Sequence, residues 1–266
     1  MINGALYVRE MKKSIKLIVI LLAVITMYVA IIISMYEPKM AKLLDDYVKM
    51  MPQLMASVGM TGGATSLLGF MCSYLYGFIL IVFPMIFCII RANGLVAKYI
   101  DNSSMVSLLC APVKRLTVAF TQMAVLMSGI IILIVYTTIL EIICAQYFFP
   151  GELDIAKLLV LNAGLLGLEL FIGAICFFSS CIFSEVKYSI ALGAGLPTLM
   201  FVIQMLANVG DKAKNAKYFT FFTLYDSAGI IENEAGAFIG TIVLFAGAIV
   251  LYGMSGVAFC KRDLCL

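Results

Sequence analysis

The chain contains no histidine and no tryptophan. Histidine is the usual general base near neutral pH and the commonest metal ligand, so its absence removes both roles at once. No GxSxG nucleophile elbow and no cluster of intramembrane acids takes its place, and hydrolytic or metal-assisted chemistry has no footing. The phosphate-cradling pattern GxxxxGK[ST] is also missing, so any nucleotide energy must come from another chain. Only 12% of residues are charged, and no basic tract suits nucleic-acid phosphates. Eight cysteines (72, 88, 110, 144, 176, 181, 260 and 265) form no CxxC pair and sit mostly in or beside apolar runs. They read as reduced, small apolar residues rather than a disulfide framework.

What is present is grease. Sixty-four per cent of the 266 residues are hydrophobic and the mean hydropathy is +1.10, against about 45–50% apolar residues in soluble domains. Long runs free of charge indicate an all-α polytopic membrane protein. A span needs about 20 apolar residues, and six runs qualify: 15–36, 67–90, 116–143, 158–183, 189–207 and 236–260. The first is too long for a signal peptide and lacks a small-residue cleavage site, so it reads as a retained span. Before it, residues 1–14 place Leu6, Tyr7 and Met11 on one helical face and Arg9, Lys12 and Lys13 elsewhere, the pattern of a basic interfacial helix. Residues 37–66 also repeat apolar positions every three or four residues, with Lys42, Asp45, Asp46 and Lys49 opposite, until Gly59, Gly62 and Gly63. That is a surface-lying amphipathic helix. Pro84, in span 2, is expected to kink it.

Charge assigns the sides. Eleven of the eighteen Lys and Arg fall at the two termini and in the 2–3 and 4–5 connections, and seven fall in the other loops. Positive charge accumulates inside, so both termini are expected in the cytoplasm and segments 37–66 and 208–235 outside. The longest inside interruption is Arg91–Arg115, with Arg91, Lys98, Lys114 and Arg115 against Asp101. Leu95, Val96, Tyr99, Met105, Val106, Leu108 and Leu109 recur there at helical spacing. A helix this short and polar cannot cross a bilayer. It lies on the membrane or docks into another protein.

Glu169 stands out as the carboxylate well inside a span. An acid at the bilayer centre costs about 2.5–3.5 kcal/mol on insertion scales, so it is a functional candidate by default. It reads either as part of a transport path or as a protonated group bonded to a neighbouring span, with Gln122 and Gln204 as candidate partners. The ENE run at Glu232 and Glu234 reads as a solvated loop, and the aromatic run 218–225 suits a membrane–water boundary.

Four features carry a resemblance: the basic start Leu6–Lys13 entering span 1; GLVAKYIDNSSMVSLLCAPVKRLTVAFTQ at 94–122; FFTLYDSAGII at 221–231; and the ending FCKRDLCL at 259–266. In this order and spacing the chain resembles an ABC-2 type permease, the transmembrane subunit of a type V ABC transporter. It departs where Asn102, Ser103 and Ser104 follow Asp101 in place of a frequent Gly-Ser, and where Tyr225-Asp226 stands for Phe-Asp.

The resemblance implies that 94–113 is a coupling helix docked on a cytoplasmic ATPase, using Gly94, Lys98, Tyr99, Asp101, Met105, Leu108, Leu109, Pro112, Lys114 and Arg115. It implies two ATPase subunits that bind ATP and Mg, a second permease chain (identical or related), and no cofactor on this chain. The segment 208–235 would partly re-enter the bacterial plasma membrane as an outer cap, with Phe219, Phe222 and Tyr225 as its gate. Glu169, Gln122 and Gln204 would lie on the path of an amphipathic or hydrophobic cargo moved outward, with antimicrobial-type peptides favoured. The competing readings are a proton- or ion-coupled secondary transporter using Glu169, for which the expected paired repeats are missing, and a membrane-embedded enzyme, for which a catalytic constellation is missing.

Overall fold

A computed structural model of the chain describes residues 2–36, 66–102, 114–209 and 217–261, together with Met50. It is 88% helical, with no strand among the described residues. Six helical stretches of 23 to 35 residues are long and apolar enough to cross a membrane. At 1.5 Å per residue each covers the roughly 30 Å of hydrocarbon. The protein is an all-α polytopic membrane protein.

The first span is α1 (Gly4–Ser34). The second comprises α2 (Leu67–Met71), a π-helical turn (Cys72–Tyr76), α3 (Ile79–Leu95) and α4 (Ala97–Asp101). The third is α5 (Arg115–Phe148) and the fourth α6 (Ile155–Ile182). The fifth joins α7 (Val186–Gly193) to α8 (Gly195–Val209). A 3₁₀ turn (Phe221–Leu224) and α9 (Ser227–Ile231) precede the last span, α10 (Ala235–Lys261). Several starts are set by side-chain caps that satisfy a free first-turn N–H: Asn3 accepts from Leu6 N, Ser66 from Gly69 N, Asp154 from Lys157 N and Asp226 from Gly229 N.

Two boundaries differ from the sequence expectation. The interfacial helix and span 1 are one continuous α1, because no Gly or Pro interrupts residues 5–34. The expected helix start at Gly94 moves to Ala97: Gly94 lies inside α3, and the break falls at Val96 (φ −125°, ψ −65°). Pro84 sits within an unbroken α3, while the irregularity of span 2 lies earlier, in the π turn and at Phe78 (φ −142°, ψ −57°). The expected surface helix over 37–66 lies outside the described residues apart from Met50 and Ser66.

Helix α6 is the axis of the bundle. Of its most apolar 18 residues 72% are buried, against 22–28% for α1, the fifth span and α10. It packs on α10, α3, α7 and α5, while α1 packs chiefly on α5. Small residues permit these approaches, as expected where lipid gives helices no hydrophobic reason to associate. A Cβ on Gly193 would stand 3.3 Å from the Cα of Cys176. The proline of span 5 explains a further contact there. Pro197 has no N–H to offer the carbonyl four residues back, that of Gly193, and the Cys176 thiol donates to that carbonyl instead at 3.0 Å. Gly193→Val is therefore expected to push α7 from α6 at a cost of about 1–3 kcal/mol, read as a lower unfolding midpoint in detergent.

Candidate functional site

Polar side chains gather in three places along this apolar bundle. The first is the rim that carries the N-terminus. Glu10, in the second turn of α1, is 1% exposed. Its Oε1 accepts from Lys13 Nζ at 2.9 Å and from the Tyr99 hydroxyl of α4. Lys13 also donates to the Tyr99 hydroxyl and lies over its ring. From α3, Arg91 places a terminal nitrogen 3.6 Å from Glu10 Oε2 and donates to the Glu10 carbonyl at 3.2 Å. One carboxylate thus ties α1, α3 and α4 together. Two further bonds hold α1 to the start of span 3: Asn3 N donates to Thr121 Oγ1 at 2.9 Å, and the Tyr7 hydroxyl donates to Ser128 Oγ at 2.8 Å. On the same rim Asn93 accepts from Ser189, whose hydroxyl also meets Ser180, linking α3, α6 and α7. A cavity of about 650 Å³ opens where α1, α3, α4 and α7 meet.

The second place is inside the bundle. Glu141 of α5 is fully buried, and its Oε2 accepts from the Tyr76 hydroxyl at 2.8 Å and from Asn162 Nδ2 at 2.9 Å. Glu169 of α6 is also fully buried, and among the described residues its carboxylate meets the Cys88 thiol alone, at 3.9 Å. Among the described residues, Oε1 of each acid has no hydrogen-bond partner. Glu141→Leu is expected to cost about 2–6 kcal/mol, since the Tyr76 and Asn162 donors would stay buried without partners at about 1–3 kcal/mol each. Glu141→Gln can keep one of these bonds and should cost less, a ranking that unfolding of the purified variants would check.

The third place is the opposite rim. Gln204 accepts there from Thr220 and Thr223. A smaller cavity of about 220 Å³ is bounded by Gln204, Phe222, Tyr225 and Lys217. Phe222 stacks on Phe221 and meets Phe201 edge-on.

The residues proposed from sequence are distributed over these places. Glu169, Gln122 and Gln204 do not come together. Gln122 is buried in α5 with neither amide atom bonded among the described residues, Gln204 is on the far rim, and Glu169 lines neither cavity. Of the outer-gate trio, Phe222 and Tyr225 are buried while Phe219 is 78% exposed. Gly94, Lys98 and Tyr99 border the larger cavity. Asp101 ends α4, and Lys114 and Arg115 open α5. Met105, Leu108, Leu109 and Pro112 lie outside the described residues.

Sequence reasoning missed Glu10 and Glu141. Each had a signal. Glu10 falls on the Leu6, Ser14 and Ile18 side of α1, and Glu141 shares one face of α5 with Gly129, Leu133, Thr137 and Ala145 at helical spacing.

No family model matches the chain, and neither a curated protein nor a solved structure matches it. Among the described residues no group of three metal-ligating side chains is assembled.

Proposed function

We propose that this chain is the transmembrane subunit of an ATP-driven exporter, worked by a separate ATPase that docks on the 94–113 segment. The observation that supports it most is the Glu10 junction. Tyr99 lies at the head of that segment, and its hydroxyl bonds Glu10 of α1, which Arg91 of α3 also grips. The segment then runs into α5. A displacement at Tyr99 would therefore reach the first two spans through the Glu10 junction, and span 3 through the bonds of Asn3 and Tyr7 to Thr121 and Ser128. Coupling of this kind needs a stiff connection between the driven element and the elements that move.

In this reading the N-terminal rim faces the cytoplasm of a bacterial plasma membrane, in keeping with the excess of Lys and Arg on that side. ATP and Mg are bound by the partner subunits. A second permease chain completes the pore, and the far-rim cavity near Gln204 and Phe222 belongs to the exit side. The cargo is amphipathic or hydrophobic, antimicrobial-type peptides being the favoured class, because the polar side chains inside the bundle are few among its apolar ones.

The test is the complex with its ATPase. Leu108→Asp and Pro112→Asp are expected to lower the ATPase retained on the purified chain, and the ATP hydrolysed with it, at least tenfold. The amount of chain in the membrane should not change. Full retention would overturn the docking assignment.

Proton or ion coupling through Glu169 is the second reading. It draws on the acid's full burial and its unbonded Oε1. Glu169→Gln separates the two: under ATP drive, nucleotide-dependent activity survives it, and under proton coupling transport is lost.

A further inference from the structure

We propose that the cavity on the N-terminal rim binds the phosphate headgroup of an anionic phospholipid, with its acyl chains running up the outer face of the bundle. The inference goes beyond the exporter reading and does not require an ATPase. Its basis is a charge surplus joined to an apolar wall. Arg9, Lys13, Arg91 and Lys98 border the cavity, and Glu10 is the one carboxylate among its described lining residues. That carboxylate is already engaged by Lys13, Tyr99 and Arg91. Among the described residues Arg9 and Lys98 carry no side-chain hydrogen bond or ion pair.

Arg91 supplies a second, independent sign. It is only 9% exposed, and its Nε has no hydrogen-bond partner among the described residues. A guanidinium N–H buried without an acceptor is costly, and a phosphate oxygen is the acceptor its planar fork fits best. Asn93 and Asn102 add polar side chains to the same lining.

The walls choose between sources of phosphate. A soluble phosphate ester would need polar walls all round. Here Ile89, Ile90, Val186 and Ile190 border the cavity, and Ile90 and Ile190 are 50% and 43% exposed, so the apolar wall continues onto the bundle's outer surface. Cations at the base and isoleucines leading away from it match an amphiphile with a phosphate head. The cavity's 650 Å³ also fits a headgroup with the glycerol beneath it. Basic residues near an anionic surface contribute about 1 kcal/mol each, close to fivefold in binding.

The experiment is native mass spectrometry of the full chain in detergent, titrated with phosphatidylglycerol, phosphatidylcholine or glycerol 3-phosphate. Phosphatidylglycerol is expected to bind at one saturable site, at least tenfold more tightly than phosphatidylcholine. Arg9→Gln and Lys98→Gln, both exposed positions that should fold normally, are each expected to weaken it about fivefold. Lys12→Gln removes the same charge from the same helix face region but does not border the cavity, and is expected to leave binding unchanged. An equal loss in Lys12→Gln would mean general surface attraction and would overturn the site. Glycerol 3-phosphate binding as tightly as the lipid would overturn the lipid assignment, as would equal binding of phosphatidylcholine.

Discussion

Arg91→Ala is expected to destabilise the protein by about 1.5–3 kcal/mol, because it removes the cation that joins the buried Glu10 to α3 and leaves Lys13 as the remaining charge partner. The cost should fall largely on one event, the separation of α1 from α3 and α4. Unfolding of the purified chain in mixed micelles measures it. The double variant Glu10→Gln/Arg91→Met should recover most of the loss, since a buried ion pair replaced as a pair costs far less than one broken from a single side. Two groups in direct contact do not contribute additively, so the cycle should show a coupling of about 1–3 kcal/mol. Additive losses would mean that Arg91 acts through packing alone. In the exporter reading the same variants also bear on function: a loosened junction should leave ATP hydrolysis running while its link to the spans weakens.

The second large effect is expected at Gly240, on the face of α10 beneath the far-rim segment. A Cβ built there would lie 2.2 Å from the Leu224 carbonyl oxygen, a backbone atom that cannot rotate aside. Gly240→Ala must therefore shift either α10 or the 3₁₀ turn, at about 1–3 kcal/mol or more. The turn and α9 should give first. They are short, and α9 meets α6 where Ile230 and Tyr225 lie against Gly164. Protease cleavage within 217–235 should rise sharply in this variant. Gly236→Ala and Gly253→Ala are the contrast. A Cβ at either meets nothing within 4 Å, and at Gly253, inside α10, alanine is favoured over glycine by about 0.8–1 kcal/mol. Neutral or slightly raised stability at those two positions, beside a loss at Gly240, would show that the far-rim segment is seated in the bundle.

Much of the architecture was legible because the bilayer imposes a simple rule. A segment with about 20 apolar residues and few charges must be a helix, since no other single-segment structure satisfies its backbone in lipid. All six spans could be read on that ground. Their ends were less legible. The expected helix start at Gly94 assumed that a helix stops at its weakest residue, yet α3, packed against α1 and α6, runs through it to Leu95. Glu10 and Glu141 were hidden for another reason. Each lies near the end of an apolar run, where a carboxylate looks solvated, and only the fold shows that Arg91 and Tyr99, or Tyr76 and Asn162, are brought to them from distant parts of the chain. Glu169 could be picked out from its position alone. Its neighbours could not, because hydropathy gives no information on which helices touch.

The central claim, that ATP hydrolysed by another chain drives this one, is tested most directly by the complex isolated from its native membrane. The chain should be affinity-purified in mild detergent and assayed for ATP hydrolysis, with its subunits weighed intact. The account predicts vanadate-sensitive hydrolysis and a particle holding two permease chains and two nucleotide-binding chains. A pure, folded chain that carries no nucleotide-binding subunit and hydrolyses no ATP, and whose transport collapses with the proton gradient, would contradict it.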